Sequence, residues 1–264
     1  MVNKKASIFF VFLLFGLFCF PLPADSTASL TFKLEPNTIM IETFFNGASI
    51  SVSGKVAADN EVLIVLKGRS EDLTLKKKGK ALGVLWMNLG EVTFHQVPSL
   101  YLLSSSKNLD ELTHADRKQW EQLGIGFESL GRTIEITAPS AEGQKDSLFQ
   151  EFIKLKQSQG LYAVDPKAAQ FKNIDGKWKS YQAHVRVPPR IAPGEYELTV
   201  MEIHDGAVIA TAVESLKVQE AGLPAMLSNL AFNHGALYGF LAVLIAIGAG
   251  LLMDFFFGQS EGAH

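Results

Sequence analysis

The stretch Pro193–Val218, PGEYELTVMEIHDGAVIATAVESLKV, decides the fold. Pro188-Pro189 and Pro193-Gly194 punctuate its start. Tyr196, Leu198 and Val200 then share one face, because side chains alternate with period two along a strand. Asp205-Gly206 is a strong signal for the tight turn of a hairpin. On the return, Val208, Ala210, Ala212, Leu216 and Val218 have one parity. Glu214 interrupts that series, so a bulge or an edge position is expected there. The stretch reads as a β-hairpin.

Upstream, the same pattern repeats. Leu30 to Leu34 alternates, Ile39-Met40-Ile41 follows a Pro-Asn turn, and Ile50 to Val56 leads through Asp59-Asn60 to the unbroken apolar run Val62–Leu66. Turn signals recur about every 8–12 residues, as in an all-β sandwich. Helices interrupt the pattern in the middle. Thr113 and Asp116 have capping-box spacing before Trp120 and Leu123, with Gly124 as a stop. Leu148, Phe149, Phe152 and Leu155 form a helical stripe closed by Gly160. The expected fold is therefore mainly β: one sandwich over residues 25–228 with a helical insertion at about residues 107–160. A Pro-Gly-x-Tyr start to a penultimate strand is familiar in immunoglobulin-like sandwiches, so by fold analogy the expected sandwich is immunoglobulin-like.

The two ends read differently. Lys4 and Lys5 precede an apolar run from Ile8 to Phe20, and Pro21 and Pro23 break it before the small residues Ala24 and Ala28. This predicts a secretory signal peptide, residues 1–24; an uncleaved N-terminal anchor is the alternative. Cys19 is the chain's only cysteine, and Leu17-Phe18 before it does not suit lipid attachment. If the signal is removed, no thiol remains for disulfides, metal or nucleophilic attack. Ala236–Met253, ALYGFLAVLIAIGAGLLM, carries no charge and is long enough to cross a bilayer. Residues 229–258 are expected as a transmembrane helix and 259–264 as a short cytoplasmic tail. The lysines at the start favour the cytoplasm, which places the central domain on the periplasmic side of the inner membrane. Gly235 with Gly239, and Ala246 with Gly250, have the small-xxx-small spacing that lets helices approach closely. Asp254 falls about one turn from the inner interface, within reach of headgroups.

Chemistry is sparse. The formal net charge of −3 supplies no field for nucleic acid. Histidines at positions 95, 114, 184, 204, 234 and 264 form neither HxH nor HExxH, and no nucleophile elbow or phosphate loop occurs. No cofactor or metal is expected, Ser104-Ser105-Ser106 reads as a polar loop, and the chain reads as a non-enzyme. One cluster stands out: Lys76, Lys77, Lys78 and Lys80, followed by Trp86 and Asn88. It suits an anionic or headgroup contact, or a solvated turn between two strands.

That cluster, in Lys77–Lys80 and Gly83–Asn88, resembles a signature of Alph_Pro_TM, a family of uncharacterised bacterial transmembrane proteins. Val97–Tyr101 with the serines after it, Gly160-Leu161-Tyr162 and Leu237-Tyr238-Gly239 are similar to the family in the same order. The resemblance implies a membrane-tethered protein with no assigned catalytic residue. Its members are often encoded beside sulfite-exporter-like transporters, which implies a multi-span membrane transporter as partner, alongside the lipid bilayer. The leading expectation is a non-enzymatic accessory of such a transporter. The alternatives are a periplasmic anion- or solute-binding domain and a cell-envelope enzyme.

Overall fold

Alternating apolar residues build strands along most of the chain, and the computed structural model describes residues 30–81, 85–113, 117–138 and 143–257. The expected signal peptide and C-terminal tail lie outside these residues. The first strands are β1 (Phe32–Glu35), β2 (Thr38–Ile41), β3 (Ala48–Ala57) and β4 (Glu61–Lys67). A long hairpin follows, β5 (Ser70–Ala81) and β6 (Leu85–Pro98), then β7 (Tyr101–Ser105). Next come α1 (Leu109–Leu112), α2 (Arg117–Gln122), α3 (Phe127–Thr133), β8 (Glu135–Thr137) and α4 (Lys145–Ser158). The chain returns to strands with β9 (Tyr162–Asp165), β10 (Ala169–Asp175), β11 (Trp178–Val187), β12 (Gly194–His204) and β13 (Ala207–Glu220). It closes with α5 (Gly222–Asn233) and α6 (Gly235–Phe257).

Two sheets carry the body. One has the order β1-β3-β11-β10, all antiparallel. The other runs β2-β13-β12-β4-β7-β9, and its outermost pairs are parallel. Ile50, Val52 and Val56 of β3 and Ala183, Val185 and Val187 of β11 meet Ile64, Leu66, Leu198, Val200, Leu216 and Val218 of the second sheet in one apolar core. Fully burying each of these valine, leucine or isoleucine side chains contributes roughly 1.5–3 kcal/mol. The opposite face of the second sheet, with Leu63, Val65, Leu103, Met201 and Ile203, is covered by the insertion through Trp120, Leu148, Phe149 and Phe152 and by Val92 and Phe94 of β6. Hence β4 is unbroken in its hydrophobicity: both of its faces are buried.

The hairpin that anchors the sequence reading forms at Asp205-Gly206, where both residues have positive φ (47° and 82°), as a type I′ turn requires. Its ladder is irregular between Val208 and Ala210, opposite Ile203 and Glu202. Glu214 instead pairs in register with Leu198, and β2 joins β13 only from Lys217 onward, so Glu214 takes the edge position.

The insertion is anchored to this turn. Trp120 Nε1 donates to the Gly206 carbonyl (2.8 Å), and the Gln119 amide brackets Val208 with two bonds, 2.8 and 2.9 Å long. Local expectations shift in three places. Thr113 closes α1, its N–H bonded to Leu109 O, instead of opening the next helix, and Asp116 lies outside the described residues. In α4 the buried stripe is Leu148, Phe149, Phe152, Ile153 and Lys156, while Leu155 is exposed. At about 100° per residue, Leu155 lies roughly a quarter-turn off the stripe's centre. Ser104 and Ser105 belong to β7 and are buried; Ser105 Oγ satisfies itself on the Lys107 carbonyl (2.6 Å). Gly160, at φ 73°, ends α4 with Leu161 N–H on Lys156 O and its own N–H on Gln157 O, a Schellman closure.

Candidate functional site

The lysine cluster is not a turn. Lys76, Lys77, Lys78 and Lys80 lie within β5, because the strand carries on through the charged run and pairs with β6 as far as Ala81. The register sets Lys76 opposite Glu91, Lys78 opposite Asn88 and Lys80 opposite Trp86, so sequence-distant candidates meet across the hairpin. Period two divides the lysines. Lys77 shares the face of Leu73 and Leu75, is half-buried, and donates to Gln144 Oε1 just before α4 (2.9 Å). Lys76 and Lys78 are exposed on the other face. Only the root of this hairpin is flanked by a third strand, since β8 pairs with Thr93–His95 alone. From Lys76 outward the two strands form a ribbon with only each other as strand partners among the described residues.

The outer face of the root is laced with polar ladders. Thr74 and Thr93 join hydroxyls at 2.9 Å. His95 lies between Asp72 (Nδ1 to Oδ2, 2.9 Å) and Thr137 (Nε2 to Oγ1, 3.1 Å). The Gln96 N–H also donates to Asp72, and this bond and His95 hold its carboxyl below the usual range. The order of partners is that of a hydroxyl–imidazole–carboxylate relay. Here the relay joins β5, β6 and β8 on an open sheet face, with Asp72 well exposed.

Beside the root is an open cleft of about 900 Å³, where β4 leaves the sheet and β12 begins. Glu71, Glu195, Glu197 and Glu214 outnumber Lys67 and Arg69 along its walls, so its field favours cations. Tyr196 stands in it, its hydroxyl donating to Ala192 O at 2.7 Å. Glu71 also acts on buried Lys156, whose ammonium sits 5.8 Å from the ring centres of Phe152 and Tyr162. Burial lowers the Lys156 pKa, and Glu71 partly restores it. Among the described residues no three His, Cys, Asp or Glu side chains converge on a metal position. His114 and His264 lie outside those residues.

The last candidate surface is α6. Gly235–Phe256 is long and apolar enough to cross a membrane, with mean hydropathy 2.3 and none of it buried. At about 100° per residue, Gly235, Gly239, Ala246 and Gly250 fall within an arc of about 60° along one side of this continuous helix. A Cβ added at Gly235, Gly239 or Gly250 would meet nothing within 4 Å. Asp254 lies in the final turn of α6 and is exposed.

The segments singled out in the sequence converge only in part. Tyr101 and Tyr162 are direct neighbours on the parallel strands β7 and β9, ring centres 6.0 Å apart. The lysine ribbon and α6 are separate features. Sequence reasoning missed the cleft and the relay, which join residues from strands far apart in the chain; no local spacing signals either. In comparison with known proteins, one family model, described as "Putative transmembrane protein (Alph_Pro_TM)", matches residues 29–259. No curated protein matches the chain.

Proposed function

Since this chain belongs to the Alph_Pro_TM family of transmembrane proteins, we propose that it is a non-enzymatic, single-pass accessory protein that docks on a multi-span membrane transporter. The signal peptide is removed, the body stands on the periplasmic face of the inner membrane, and α6 crosses the bilayer. The body is an immunoglobulin-like sandwich. In favour of this is the strand order: β1-β3-β11-β10 against β13-β12-β4-β7 follows A-B-E-D against G-F-C-C′. The Tyr196 hydroxyl bonded back to Ala192 resembles a tyrosine corner. In that scheme the lysine ribbon is inserted after strand C and the helices after C′.

One observation carries the docking reading: Gly235, Gly239, Ala246 and Gly250 line one side of the continuous helix α6. In lipid, close backbone approach at such a side is what favours helix association. The ribbon of Lys76, Lys78, Lys80, Trp86 and Asn88 is the second contact, on the water side. An anion-binding role has less support, since Gln144 engages Lys77 and the cleft's charged groups are mostly glutamates. The test is capture of tagged full-length protein from membranes in mild detergent after cross-linking. A multi-span protein should be retained by the native chain and lost with Gly239→Leu. Capture of the chain alone contradicts the proposal.

A further inference from the structure

We infer that α5 lies in the bilayer surface as an in-plane helix and holds the body close against the lipid. This rests on α6 being the membrane span. Leu223, Met226, Leu227 and Leu230 occupy i, i+3, i+4 and i+7, one apolar stripe, while Ser228 and Asn229 point away from it. No residue of α5 is buried by the protein, and Leu223, Met226 and Leu227 remain 55%, 57% and 51% exposed. Such a stripe beside a folded domain calls for a covering partner.

The position of α5 names that partner. A single residue, His234 at φ −135° and ψ 47°, separates α5 from α6. At 1.5 Å per residue, the apolar length of α6 is about 33 Å, close to the hydrocarbon thickness of about 30 Å. Little of α6 is spare, so its first residue stands at the lipid boundary and the end of α5 stands there with it. Phe232, 87% exposed, falls in this last turn but on the side of α5 opposite the stripe. No Asp, Glu, Lys or Arg occurs from residue 221 to residue 253. Surface helices bind through apolar area and through cations that attract anionic lipid. With no cation, α5 is held by its apolar side alone and is indifferent to headgroup charge.

The test uses the full chain with Cys19→Ala, carrying single spin labels through Leu223→Cys, Met226→Cys, Leu227→Cys, Leu230→Cys, Ser228→Cys or Asn229→Cys, with Val243→Cys in α6 as the lipid reference. Vesicles are neutral phosphatidylcholine, with and without anionic phosphatidylglycerol. The stripe positions should favour collision with oxygen over a water-soluble nickel chelate, Ser228 and Asn229 the reverse, equally in both vesicles. Uniform access of the chelate along α5, with Val243 still in lipid, would overturn the inference and leave the span intact. Shielding of the stripe from both reagents would mean a second copy or the body covers it, which also overturns it. So would lipid contact seen only with anionic vesicles. Chelate access at Val243 would remove the span itself, and the inference with it.

Discussion

The buried hydroxyl of Tyr162 donates a 2.7 Å hydrogen bond to the carbonyl of Pro98, 64 residues earlier. It fastens the strand that leaves the helical insertion to the root of the lysine ribbon. Burial pushes this phenol well above its usual range, so it stays a protonated donor at any ordinary pH. Tyr162→Phe strands a carbonyl without its partner and should cost about 1–3 kcal/mol by denaturant unfolding of the full chain. Tyr181 is the contrast. Its hydroxyl is buried with no hydrogen-bond partner among the described residues, so Tyr181→Phe should leave stability unchanged or raise it. Equal losses from both changes would contradict this assignment.

Lys156 places an ammonium in the apolar stripe of α4, with two aromatic rings and distant Glu71 for compensation. Lys156→Met fills similar volume with no charge to desolvate, and should stabilise by about 1–2 kcal/mol at neutral pH. The sign of the pH dependence follows from the lowered pKa. The unfolded chain binds the extra proton, so native stability rises with pH between the lowered folded value and the usual 10.5. The advantage of the variant should therefore shrink as pH climbs toward that range. A constant gap across pH, measured by thermal melts, would argue that the ammonium is solvated.

Gln119 and Trp120 tie the insertion to the Asp205-Gly206 turn. Removing the amide by Gln119→Ala should cost about 1–3 kcal/mol, since both bonds to Val208 are lost. Hydrogen exchange should then speed at Val208 before it changes in β3 or β11. No change at Val208 would mean that the turn stands without the insertion.

Asp72 responds to acid. Its carboxyl is held below the usual 3.8 by the Gln96 N–H and His95, so its contribution is present above that value and fades as pH falls through the folded one. Asp72→Asn should lower Tm at pH 5, and the difference from the native chain should close toward pH 2. A difference that persists at pH 2 would assign the effect to lost packing.

Much of the β-rich body was legible because its signals are local. Alternation fixed the parity of Tyr196, Leu198 and Val200, Asp-Gly announced the turn, and an unbroken Val62–Leu66 announced a buried strand. What failed depended on distant neighbours. Lys76–Lys80 reads as a solvated turn because nothing nearby shows that β6 will pair with it. Ser104 and Ser105 read as loop because distant layers bury them: Ser104 has the parity of Leu102, which faces the first sheet, and Ser105 that of Leu103, which faces the insertion. Leu155 reads as part of the stripe that Ile153 and Lys156 complete, since an internal lysine looks polar until its ammonium is seen beside two aromatic rings. The cleft was invisible for the same reason: Glu71, Glu197 and Glu214 are joined by sheet topology alone.

In the topology proposed above, α6 fixes a β-rich body to a membrane from outside; alkaline extraction paired with protease treatment of right-side-out spheroplasts tests both halves of that arrangement. The full chain should stay with the membranes at alkaline pH, a chain ending before Gly235 should be released, and added protease should digest the body while the cells remain intact. Full-length protein in the alkaline supernatant, or a body untouched until the cells are broken, would overturn this topology.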